Sequence, residues 1–260
     1  MAFMPDMQSW QPHETLAPPP ALGSGDVHLW LLSLDQPAWP AQAIGGCLDG
    51  PERERAERFH FDEHRRRFIA GRGQLRHLIA GYLQVAASSV RFTYGEQGKP
   101  SLDPCHASRV GSPALRFNLS HSEGVALLGV TREAEIGVDV EAVRTMLDAG
   151  DVARDNFSSA EVDAWERLPE AMRDDGFFTC WSRKEAIVKA MGGGLSIPLD
   201  SFQVTLDPAE PARLLAIDGE PDAPPRWTLW GERVLPGFWG AVAAKAPTLE
   251  IRKLCLSPGQ

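Results

Sequence analysis

Apolar and polar residues alternate over 27–34, which predicts a strand. From Pro51 the period changes. Phe68, Leu75, Leu78, Ile79 and Tyr82 recur at helical spacing, and Gly71, Gly73 and Gly81 weaken that helix only locally. Short strands are predicted at 90–94, 114–119 and 125–131, with another at 135–141. Helical patterning then returns. Ser158 followed by Glu161 fits a capping box, in which hydroxyl and carboxylate satisfy free amides at a helix start. The stretch 177–191 reads as a helix stopped by Gly192-Gly193-Gly194. Strand patterns at 202–206, 226–230 and 238–243 close the chain. Helices then strands, twice, predict an α+β fold of two halves, 26–133 and 134–260, although no sequence repeat is visible. Residues 1–25, with Pro18, Pro19 and Pro20 in a row, are expected to form a flexible arm.

Composition narrows the function. A chain of 260 residues with 43% hydrophobic content can bury a sizeable core. Its net charge of −9 argues against general nucleic-acid affinity, so an anionic ligand needs a metal or a local basic cluster. Cys47, Cys105, Cys180 and Cys255 show no CxxC spacing, zinc cluster or disulfide framework. The start, MAFMPDMQSW, lacks a signal-peptide pattern, and no apolar run approaches the roughly 20 residues that span a bilayer. A reduced, cytoplasmic setting without a membrane partner is the expectation.

Four constellations carry candidate chemistry. In Ile136-Gly-Val-Asp-Val-Glu141, strand geometry puts Asp139 and Glu141 on one face, their Cα atoms about 6.5–7 Å apart. Two such carboxylates repel unless a cation sits between them, and hard oxygens suit Mg²⁺; a solvated acidic face is the other reading. In Trp181-Ser-Arg-Lys-Glu185-Ala-Ile-Val-Lys189, Glu185 and Lys189 share a helix face. They could supply a metal oxygen and a phosphate-directed ammonium, or only a surface ion pair worth about 0.3–0.5 kcal/mol. Phe117-Asn-Leu-Ser120-His121-Ser122 could grip a phosphate or form a turn. A Ser-His nucleophile pair is disfavoured, because adjacent strand residues point to opposite faces. Gly98-Lys99-Pro100 projects a lysine from a stiff turn and is not a P-loop.

In order, GKP, FNLSHS, IGVDVE and WSRKEAIVKA, the last followed by a Gly-rich turn and LSIPLD, resemble the phosphopantetheinyl transferases. The likeness runs from about residue 50 to 206 and is to the monomeric, pseudo-dimeric branch, which modifies carrier proteins of peptide, polyketide and fatty-acid synthases. The resemblance implies two similar α+β halves in a pseudo-twofold arrangement, with coenzyme A between them. It implies Asp139, Glu141 and Glu185 as Mg²⁺ ligands and Lys189 on the diphosphate. Lys99, Ser120 and His121 would hold the 3′-phosphoadenosine end, and Arg72 the 3′-phosphate. Arg53 and Arg55 match a further cofactor-facing patch, which Glu52 interrupts. The implied reaction transfers 4′-phosphopantetheine from coenzyme A to a carrier serine and releases adenosine 3′,5′-bisphosphate. Glu185 would take the serine proton, directly or through a metal-bound water, with Glu161 a second candidate. The carrier is expected to dock on 142–168, around Met146, Leu147, Phe157 and Trp165 and the flanking Arg144, Arg154 and Arg167. A nucleotide phosphohydrolase would use the same acids. An inactive carrier-binding module would not need Asp139, Glu141, Glu185 and Lys189.

Overall fold

The computed structural model describes residues 9–95, 97–106, 114–132 and 134–256. In the first half, β1 (Gln11–His13) and β2 (Asp26–Ser33) precede α1 (Ala41–Gly46), α2 (Gly50–Glu57) and the long α3 (Asp62–Leu83). A small hairpin of β3 (Phe92–Tyr94) and β4 (Pro100–Leu102) follows. The half ends with β5 (Leu115–Ser122) and β6 (Val125–Arg132), joined by a tight turn in which Glu123 takes a left-handed φ of 49°. The second half opens with β7 (Ile136–Ala142), then α4 (Ala149–Asn156), α5 (Ser159–Arg167) and α6 (Arg173–Met191). It closes with β8 (Phe202–Val204), β9 (Leu214–Ile217), β10 (Thr228–Leu235), β11 (Phe238–Ala244) and β12 (Glu250–Leu256).

The strands form two main sheets, ordered β1-β12-β2-β6-β5 and β10-β11-β7. Leu29, Leu31 and Leu127 of the first meet Ile136, Val138 and Val242 of the second in one apolar layer. The outer face of the first sheet packs Trp30, Leu32 and Leu128 against Leu75, Leu78 and Ile79 of α3. The outer face of the second packs Trp239, Ala241 and Ala243 against α6, with α4 and α5 completing that layer. The result is an α+β stack of helix, sheet, sheet, helix, in which each sheet buries both faces.

Three sequence expectations need correction. The segment 1–25, expected as a flexible arm, is tied down over its described part. Trp10 is buried between the sheets, and β1 adds to the edge of β12, because an indole and a free strand edge both gain by covering apolar and polar surface. The strand expected at 226–230 begins at Thr228 and runs to Leu235. Finally, β12, which the pattern did not reveal, leaves the second half and lies between β1 and β2 of the first sheet, parallel to both. The capping box forms as expected, with Ser158 and Glu161 at the start of α5. All four cysteines are free. Among the described residues no helix is long and apolar enough to cross a membrane.

Candidate active site

The site begins where β5 and β7, edge strands of different sheets, run side by side. Side chains rather than a backbone ladder join them. Asn118 Oδ1 accepts from the Val138 amide at 2.8 Å. Ser120 Oγ donates to Asp139 Oδ1 at 2.9 Å, and Ser122 Oγ donates to Glu141 Oε2 at 3.2 Å. Ser122 Oγ also accepts from the Ala142 amide at 3.1 Å. The spacing i, i+2, i+4 along β5 sends all three polar groups to the same side. Asn118 and Ser122 are therefore site residues that the sequence reading missed. The signal was the polar alternation inside FNLSHS, which continues the strand rather than ending it.

Helix α6 covers this seam. It lies flush on β7 because Gly137 has no side chain: a Cβ there would collide with the Ala186 carbonyl and the Ala190 amide. The contact brings Lys189 over Asp139, and its Nζ donates to Asp139 Oδ1 at 2.5 Å and to Ser120 Oγ at 3.1 Å. Asp139 is 3% exposed, so the carboxylate expected on a solvated strand face is covered by the helix. Its second oxygen, Oδ2, is buried and has no hydrogen-bond partner. Burial and the Asp139 charge push Glu141 up to about pH 7. Burial also raises Glu185; Lys189 opposes that shift and Asp139 reinforces it. Three acids thus share one field with one ammonium among them.

Such a field is short of positive charge, and the buried Asp139 Oδ2 has no donor beside it. Among the described residues no three acidic, histidine or cysteine side chains stand close enough to hold a metal unaided. Mg²⁺ does not require that, since it is usually held by one or two carboxylates completed by substrate phosphate and water. The donor set fits a cation shared with an anionic ligand.

Beside these groups opens a cleft of about 580 Å³. Its walls come from Gln97–Pro100, from Asn118 and Leu119 of β5, from Asp155 and Asn156 at the end of α4, and from Glu185, Val188 and Lys189 of α6. Gly192, Gly194 and the stretch 197–200 close it. The lining mixes amides, aliphatic groups and charges, which suits a long polar ligand with an anionic end.

The remaining candidates are placed as follows. His121 lies next to Ser120 but points away from the seam, and the surrounding protein, then Lys189 and Arg55, hold its ring below the ordinary histidine range. Lys99 is not a free cation: its Nζ donates to the carbonyls of Lys189 (2.7 Å) and Ile136 (3.0 Å), tying the Gly-Lys-Pro turn to α6 and β7. Arg72 stands apart. It is 9% exposed, and its guanidinium bonds Glu52 at 2.9 Å and the Tyr94 hydroxyl at 2.5 Å. Glu52, which interrupts a basic run in the sequence, is buried and holds Arg76 as well, at 2.6 Å. Glu161 is no proton acceptor for a substrate: it is buried and saturated by Ser158, Val204 and Lys184. Phe157 and Trp165 pack inward in the α6 core, whereas Leu147 is fully exposed at 102%.

Residues 135–243 match the family described as the 4′-phosphopantetheinyl transferase superfamily, and residues 37–132 match 4′-phosphopantetheinyl transferase, N-terminal. The chain is 40% identical over 219 residues to 4′-phosphopantetheinyl transferase HetI of Nostoc sp. (strain PCC 7120), covering 84% of this chain and 87% of HetI. It is 32% identical over 155 residues to 4′-phosphopantetheinyl transferase Sfp of Bacillus subtilis (strain 168), covering 60% and 65%. To 4′-phosphopantetheinyl transferase AcpT of Escherichia coli O157:H7 it is 35% identical over 130 residues, covering 50% and 59%.

Proposed function

The chain belongs to the 4′-phosphopantetheinyl transferase superfamily, and on that premise we propose that it moves 4′-phosphopantetheine from coenzyme A to a serine hydroxyl of an apo carrier protein, releasing adenosine 3′,5′-bisphosphate. The observation that carries the reading is the Asp139 carboxylate, buried under α6 with one oxygen unpartnered, beside Lys189 and near Glu185, both of which line the cleft. Both halves of the cleft come from one chain, so a monomer suffices.

Asp139, Glu141 and Glu185 would hold Mg²⁺, which when bound neutralises the diphosphate as charge builds on its leaving oxygen. Lys189 bonds Asp139 and Ser120, and it would turn to the diphosphate, since a phosphate offers its ammonium more charge than a shared carboxylate does. The pantetheine arm extends along Val188 and Ile197–Asp200, with Asn118 and Asn156 able to meet its amides. Glu185, which lines the cleft, would accept the serine proton. His121, with Arg55 close by, receives the 3′-phosphate end. Arg72 joins them only by exchanging Tyr94 for phosphate, because Glu52 already fixes its other edge. The nucleophile belongs to the carrier.

The decisive experiment is mass spectrometry of an apo carrier incubated with coenzyme A, Mg²⁺ and this protein. A gain of one phosphopantetheine supports transfer. Release of adenosine 3′,5′-bisphosphate without a carrier would select hydrolysis instead.

Carrier docking is proposed on the loop beside β7 where Leu147 is exposed and Met146 is half-buried against the α6 core. Leu147→Asp is expected to raise the carrier KM about fivefold or more and leave coenzyme A affinity unchanged, and Met146→Asp to do the same with some loss of stability, since its side chain touches the core. Unaltered carrier kinetics in both would move the docking surface elsewhere.

His121 supplies a pH signature. Its ring is held below the ordinary value near 6.5 until a phosphate arrives and raises it. Binding then takes up a proton at His121, so affinity for coenzyme A relative to 3′-dephospho-coenzyme A should increase from pH 8 to about 6.5, the ratio cancelling the titration of Glu141 that both ligands share. His121→Ala should lose about tenfold in coenzyme A affinity at the acidic end. Equal losses for both ligands would separate His121 from that phosphate.

A further inference from the structure

Glu185 is preceded on α6 by Lys184, a fully buried cation that the proposed chemistry does not use. Its ammonium makes three bonds of the same length. Nζ donates to Glu161 Oε2, to the Leu199 carbonyl and to the Phe202 carbonyl, each at 2.7 Å. Those are all the donors an ammonium has. The Phe202 ring lies 4.5 Å away and closes the cage. Glu161 is equally saturated. Its Oε1 accepts from the Val204 amide at 2.7 Å, and Oε2 also accepts from the Ser158 amide at 2.8 Å. One ion pair thereby ties α6, the start of α5, the turn 199–202 and β8.

We propose that the buried Lys184–Glu161 pair is a positioning device for the cleft wall that receives the pantetheine arm, with the residues touching no substrate themselves. Leu199, whose carbonyl Lys184 holds, lines the cleft together with Ile197, Pro198 and Asp200. Stability alone is a poor reason to keep such a pair, because well-packed apolar residues of similar volume often do as well or better. An apolar pair cannot fix two carbonyls at set positions. Lys184 does so from the same helix turn that carries Glu185, so wall and chemistry keep a constant separation. The preceding Arg183 pins the next stretch, donating to the Thr205 carbonyl at 2.6 Å and the Glu210 carbonyl at 3.1 Å. The inference rests on the reading that the arm lies in this cleft.

The test compares coenzyme A with adenosine 3′,5′-bisphosphate, which carries the nucleotide but no arm. Lys184→Met alone would strand a buried carboxylate, so the variants are Glu161→Gln/Lys184→Met and Glu161→Gln/Lys184→Gln. Calorimetry and thermal unfolding are run on each. A displaced wall should weaken coenzyme A about tenfold, leave bisphosphate affinity within about twofold, and leave both variants folded. Parallel weakening of both ligands, no weakening of either, or failure of both variants to fold would overturn the positioning role. If the wild-type protein bound coenzyme A no better than the bisphosphate, the arm-in-cleft reading itself would fall, and that result is obtained before any variant is made.

Discussion

Asp139→Asn is expected to lower carrier modification on the order of 10³-fold while the protein stays folded. Asparagine preserves volume, and its Oδ1 can still accept from Ser120 and Lys189 as the aspartate does. What changes is the unpartnered oxygen: an amide NH₂ takes the place of Oδ2, so an atom that the proposed metal role needs as an acceptor becomes a donor. A donor buried where the aspartate oxygen had no partner is expected to shift stability by no more than about 1–2 kcal/mol, or a few degrees of Tm. Alanine would be a poorer probe, because it strands Lys189 and Ser120 beneath α6. The measurement is initial rate against Mg²⁺ concentration with a parallel melting curve. Wild-type rates in the variant would remove Asp139 from the metal, whatever the melting curve showed.

Gly137→Ala should do the opposite in kind, destroying fold and activity together. A methyl group at 137 meets backbone atoms of Ala186 and Ala190 rather than a side chain that could swing aside. Strand and helix must separate, and overpacking of this sort costs about 3 kcal/mol or more. The same turn of α6 bears Glu185 and Lys189, so the acids lose their shared field as the layers part. Thermal denaturation beside the carrier assay distinguishes the two substitutions. A Gly137→Ala protein that melts like wild type would contradict the flush packing of β7 on α6.

The parts of the site that were legible in the sequence are those written in local periodicity. Alternation in Ile136–Glu141 and helical spacing through Glu185 and Lys189 placed two elements correctly, and tertiary packing then brought Asp139 and Lys189 together. Pairings between distant segments were not legible. Nothing near Asn118 or Ser122 announces that an edge strand of the other sheet will lie alongside. Nor does a lone lysine in Gly-Lys-Pro reveal that two carbonyls wait for it, or a glutamate in a basic run that it will be buried under two arginines. Trp165 sits four residues after the buried Glu161, one turn along the same face of α5, and that spacing would have assigned it to the interior. For the same reason β12 was missed: its partners lie more than 200 residues away.

That last strand has a consequence for how the molecule is made. β2 leaves the ribosome more than 200 residues ahead of β12, one of its two neighbours. Until then β2 offers an open edge, and Trp10 lacks part of the surface that covers it. The first half therefore cannot finish folding while the second is still being translated, and contacts of such long separation close slowly. Nascent chains pass through an interval in which an apolar strand is exposed to other copies of itself, so recovery of native protein should depend on elongation rate and chaperone supply more steeply than it would for two self-contained domains in tandem.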